Sequence, residues 1–174
     1  MAGVILDALG NLYGATSAAG TAGGRALFEL SPGSGGLTQQ RLSQLYALLG
    51  CYEKAVEAES RSRLLAGEAP HEVLAKADRL RRALASGGGS AYWKEQLQLL
   101  KDSPNPPESY VRPYGLAIVY THLNEKDAAF ENLEIAYDER DPQMTELAVE
   151  PHFDALRADV RFGRLTRRIG LTSS

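Results

Sequence analysis

From Leu37 onward, apolar residues recur at spacings of three and four, the period of an α-helix with one buried face. Leu37, Leu45, Leu48 and Leu49 fall on one such stretch, which starts near Thr38 and stops at Gly50. A second begins near Tyr52 and carries Ala55, Val56, Ala58, Leu64 and Leu65, with Gly67 and Pro70 marking its boundary. A third is predicted from Pro70 to Leu84, with Val73, Leu74, Ala77, Leu80 and Leu84 in phase. SGGGS at 86–90 interrupts it, and a fourth stretch carries Tyr92, Trp93, Leu97, Leu99 and Leu100. KDSPNPPES at 101–109 is predicted to be a loop, because Pro104, Pro106 and Pro107 fix φ and remove donors. VRPYGLAIVYTHL and EKDAAFENLEIAYDER then form a pair of helices about Asn124, closed by Asp141-Pro142. Short helices are expected over 143–149 and 151–157, and a last one from Asp159 to Ile169 before Gly170.

Residues 1–36 carry no helical stripe. Nine of the 17 glycines lie there, VILDA and ALFEL are strand candidates, and Gly10-Asn11 and Gly23-Gly24 are turn signals. Two or three short strands hold no independent core. They must pack on the helices, pair with another chain as in a homodimer, or stay loose. The predicted organisation is a small β or irregular segment over 1–36 and a helical domain over 37–174, an all-α protein by class.

Two segments align without gaps, YALLGCYEKAVEAESRSRLL from Tyr46 and YTHLNEKDAAFENLEIAYDE from Tyr120. Tyr46 matches Tyr120, Leu49 matches Leu123, Gly50 matches Asn124 and Ala55 matches Ala129. Gly and Asn both tolerate the left-handed backbone of a tight helix connection. A small alanine lets a partner helix approach, and hairpins that cannot bury their apolar faces alone stack on one another.

These features resemble the tetratricopeptide repeat, a helical hairpin of 34 residues. Started at Gly36, one copy supplies the family's small, aromatic, glycine and alanine positions as Ser43, Tyr46, Gly50 and Ala55. Started at Tyr110, another supplies Ala117, Tyr120, Asn124 and Ala129. The family's early aromatic is replaced by Gln39 and Pro113, and its closing proline is displaced. The 74-residue offset implies an enlarged middle repeat containing SGGGS and the proline loop. The run from Tyr110 to Leu171 resembles the terminal repeat and cap behind bacterial kinase, cyclase or winged-helix regulator domains, with Phe153, Leu156, Phe162, Leu165 and Ile169 as the capping apolar set. DALGNLYGATSAAGTAGGRALFELSPG resembles one unit of a bacterial GNLYGTT-type β repeat.

Composition narrows the function. The net charge of −3 gives no field that draws nucleic acid or an anionic membrane. The arginine groups at 79, 81 and 82 and at 164, 167 and 168 are too small for a nucleic-acid stripe. Charge is segregated, however: Thr121 to Glu150 holds nine acidic and two basic side chains, and five arginines follow Pro151. A solvated face or a tail packed on the acidic stretch both fit that pattern. Cys51 stands alone, so no internal disulfide or structural zinc site forms, and the chain suits a reducing compartment. No apolar run is long enough for a membrane span, and a cytoplasmic location is expected.

No catalytic motif appears. His71, His122 and His152 lack metal-ligand spacing, no G-x-S-x-G elbow or phosphate loop occurs, and neither a cofactor nor a metal is expected. The carboxylates at 131, 134, 138 and 141 read as solvated helix faces. The resemblance implies a non-enzymatic module that binds a protein or peptide partner. Its ligand-facing positions transfer to Gln40, Gln44, Ala47 and Leu48 in the first copy, and to Tyr114, Ile118, Thr121 and His122 in the last. Gln40, Gln44, Tyr114, Ile118, Thr121 and His122 are the candidate binding residues. The alternatives are a structural or self-assembling module and, further off, an unfamiliar helical enzyme.

Overall fold

The computed structural model describes residues 4–6, 12–15, 27–30, 35–102 and 113–171. Near the start, β1 (Val4–Leu6), β2 (Leu12–Ala15) and β3 (Leu27–Leu30) form an antiparallel sheet in that order. Ile5 lies opposite Tyr13, and Tyr13 opposite Glu29. The expected strands at VILDA and ALFEL thus flank a third, LYGA; the turn signals Gly10-Asn11 and Gly23-Gly24 lie outside the described residues.

Beyond Gly35 the elements are helical, in keeping with the all-α class: α1 (Gly36–Leu48), α2 (Tyr52–Leu65), α3 (Pro70–Lys101), α4 (Pro113–His122), α5 (Lys126–Asp138) and α6 (Val160–Arg168). The expected proline-rich loop begins where α3 ends, and its residues from 103 on lie outside the described residues. Contacts divide the chain into two compact units, Met1–Arg82 and Ala83–Ser174, and the division falls inside α3.

In the first unit α1 and α2 form an antiparallel hairpin. Leu42, Tyr46 and Ala47 on α1 are buried, as are Ala55, Val56 and Ala58 on α2 and Val73, Ala77 and Leu80 on α3. Ion pairs join the end of α2 to the start of α3: Arg63 holds Glu59 at 2.8 Å and Glu68 at 2.9 Å, and Glu68 also takes Lys76 at 3.0 Å. The expected interruption at SGGGS is a break in α3, with Gly87 at φ −153° and Gly88 at φ 62°, ψ −149°. A side chain at Gly88 would be strained at that φ, and a Cβ on Gly87 would sit 2.9 Å from that of Ala91.

The second unit is built on the α4–α5 hairpin, whose turn repeats that of α1–α2 bond for bond. Gly50 N–H donates to Ala47 O and Cys51 N–H to Tyr46 O; 74 residues on, Asn124 N–H donates to Thr121 O and Glu125 N–H to Tyr120 O. Gly50 and Asn124 both have positive φ, 73° and 60°. This is the paired-bond helix ending that satisfies the last carbonyls when one residue turns left-handed. Ala55 and Ala129, the matched small residues, are both fully buried. The core gathers Tyr114, Ala117, Phe130, Leu133, Met144, Leu147, Phe153, Leu156, Phe162 and Leu165, with Ile169 packed at its edge.

The two short helices expected after α5 form as 3-10 turns, Pro142–Glu146 and Pro151–Leu156. Each opens on proline after an acidic cap: Asp141 accepts from Gln143 N–H at 2.9 Å and Glu150 from His152 N–H at 3.3 Å. Asp159 caps α6 in the same way, accepting from Arg161 N–H at 2.9 Å. The arginine-rich end packs on the acidic helix. Arg161 pairs with Asp127 at 2.7 Å and lies 4.2 Å from the centre of the Phe130 ring. One α-helical stretch later, Arg168 pairs with Glu134 and stacks 4.3 Å from the centre of Tyr137. Among the described residues no helix is long and apolar enough to cross a membrane.

Candidate functional site

The polar cluster with the most chemistry lies inside the second unit, where three rings from three elements meet. The left-handed turn at Asn124 stops α4 at His122, so that imidazole sits in the last helical turn. Pro151 starts the 3-10 turn that carries His152, and the Glu150 carboxylate holds the His152 backbone N–H. Arg157 fixes the approach to this turn by donating to the carbonyls of Ala148 and Glu150. Trp93 comes from the part of α3 beyond the glycine break.

His122 Nε2 and His152 Nδ1 lie 2.7 Å apart, within hydrogen-bond distance. Trp93 stacks flat on His122, ring centres 4.0 Å apart and planes inclined by 4°. It meets His152 edge-on at 6.4 Å, and Tyr92 meets Trp93 edge-on at 5.3 Å. Burial disfavours the charged imidazolium, and pushes His122 down to about 4. Burial, reinforced by the charge of His122, pushes His152 down to about 3. Both rings are therefore neutral near pH 7. A neutral pair shares one proton, one ring donating and the other accepting. Two imidazoles supply too few ligands for a zinc centre. No cluster of three or more His, Cys, Asp or Glu suited to a metal exists among the described residues.

The residues predicted from the repeat pattern are divided between the units. In the first, Gln40 is exposed and Gln44 half-buried. In the second, Tyr114, Ile118 and Thr121 are buried, and His122 is half-buried. Tyr114 meets Phe153 edge-on at 5.3 Å, and Thr121 donates its hydroxyl to Ala117 O at 2.7 Å, so both side chains serve internal packing. His71, at the start of α3, is exposed.

Sequence reasoning singled out His122 but missed its partners. His152 stands 30 positions away and Trp93 further still, with no spacing that links them. The only available signal was weak: Tyr92-Trp93 follows a glycine run, where a large aromatic pair needs a surface to cover it. No protein-family model matches the chain, no curated protein matches it, and no solved structure does.

Proposed function

We infer that the chain is a non-enzymatic binding module that holds a protein segment, a peptide or a single helix, against paired helices of the tetratricopeptide kind. What supports the reading is the duplicated hairpin turn: a left-handed residue at the same place, the same two backbone bonds and a matching buried alanine, 74 residues apart. Duplicated hairpins of this sort form solenoids whose exposed faces are used for recognition. On this reading Gln40 and Gln44 present polar groups from α1. The set lacks the basic groups that would clamp an acidic C-terminus. The single Cys51 accords with a cytoplasmic setting.

The test is a peptide-display selection against the whole chain, followed by fluorescence anisotropy with the enriched peptide. A micromolar Kd that weakens at least tenfold in Gln40→Arg/Gln44→Arg, with unchanged circular dichroism, supports the assignment. An enriched peptide that binds the variant equally removes Gln40 and Gln44 from the site. No enriched peptide, together with a concentration-dependent rise in sedimentation coefficient, favours the self-assembling alternative.

A further inference from the structure

We propose that His122 and His152 form an acid-opened latch: proton uptake by the pair parts the Pro151–Leu156 turn from the end of α4 and loosens the stack on Trp93. The geometry of the shared bond carries this. With neutral rings, one N–H points at one lone pair across 2.7 Å. A first added proton can enter at the far nitrogen of the donor ring and leave the bond intact. A second has no place but the bond itself, where two N–H groups would then meet head-on. The doubly protonated pair must separate.

Among the described residues no carboxylate forms an ion pair with either ring. Glu150 uses its carboxylate on the His152 backbone N–H, and exposed Asp154 is paired with Arg157 at 2.6 Å. From α5 the inward side chains are Ala129, Phe130, Leu133 and Ala136, which bring no ionisable group. On α3, Lys101 lies over the Tyr120 ring at 5.7 Å, and Lys94, next in sequence to Trp93, is exposed. α3 carries Glu72 and Asp78 before the glycine break and Glu95 after it, next in sequence to Lys94, and α4 contributes Tyr114 and Tyr120. The stacked indole face favours a cation on His122. The buried ring of His152 has no such compensation, so the second proton is the one that opens the contact. Opening is local because the α4–α5 hairpin keeps its own turn bonds and buried alanine.

Trp93 is the chain's single tryptophan and reports the event directly. The experiment follows its emission, far-ultraviolet circular dichroism and the histidine ring NMR signals of the whole chain from pH 8 to 4. The expected result is a red shift of the emission maximum between about pH 6.5 and 4, where a free imidazole takes protons and the closed pair refuses them, while helical signal persists. In His122→Phe/His152→Leu, which keeps a ring on Trp93 and cannot titrate, the shift disappears or moves at least one pH unit lower. A double variant with the unchanged transition overturns the latch, as does wild-type emission that stays fixed to pH 4. Helical signal lost in the same step also overturns it, since that is global unfolding. Should the double variant not fold, the wild-type NMR decides: a ring that takes its proton in step with the Trp93 shift supports the latch, and both rings titrating with no change at Trp93 sinks it.

Discussion

Asn124 and Arg140 adopt positive φ, 60° and 56°, where an L side chain meets its own backbone. Glycine at either place removes that strain, so Asn124→Gly and Arg140→Gly should raise stability. Asn124→Val should lower it by about 1–2 kcal/mol, read from urea unfolding. Ala129 poses the opposite demand. It is fully buried where α5 meets α4, so a longer side chain there would press on its neighbours. Ala129→Leu should cost about 1–3 kcal/mol by overpacking. Burial also changes how Tyr114 is used. Tyr114→Ala empties a space against Phe153 and should cost about 3–5 kcal/mol. A loss of binding in that variant would follow from unfolding, which makes exposed Gln40 the better probe of recognition.

At the scale of elements, α6 depends on arginines that do two things at once. Arg161 bonds Asp127 and Asp159 and covers Phe130; Arg168 bonds Glu134 and covers Tyr137. Lysine keeps the charge but lacks the planar face and the fork of donors. Arg161→Lys should therefore lower the Tm more than Arg164→Lys, since Arg164 lies on the exposed side of the helix; a thermal melt of the two variants compares them. Exposed ion pairs alone would be salt-sensitive and weak, whereas the ring contacts persist in high salt. These elements also show what the chain declares in advance. Helix phases, the Gly50 and Asn124 turns and the glycine break in α3 are local, written in residues within a turn of one another, and they were legible. The 3-10 form of Pro142–Glu146 and Pro151–Leu156 was not, because a five- or six-residue apolar pattern does not separate that helix from an α-helix. The pairing of His122 with His152 was illegible for another reason: it depends on where α4 and a later turn come to rest, and no local rule encodes that.

For the whole molecule, pH is the variable that the buried histidines control. Their folded proton affinities lie below the ordinary value of 6.5, near 4 for His122 and 3 for His152. The unfolded chain thus binds more protons in that window, so stability is full above about pH 6.5 and falls as the solution becomes more acid. The slope is at most about 1.4 kcal/mol per pH unit for each histidine. Asp159 adds a later loss. The side-chain bond from Arg161, and then its backbone N–H, hold this carboxyl down at about 2, so its contribution is complete above 3.8 and fades toward pH 2. Calorimetry should show a Tm nearly constant from pH 8 to 7, declining below 6.5 and falling again under 4. A flat profile between 6.5 and 4.5 would mean that the histidines titrate normally. The paired hairpins carry a consequence of another kind. Residues 46–51 and 120–125 are equal in length and close their turns through corresponding backbone atoms, so each is a cassette. Exchanging them would alter the charge at each turn and leave the backbone joints there unchanged.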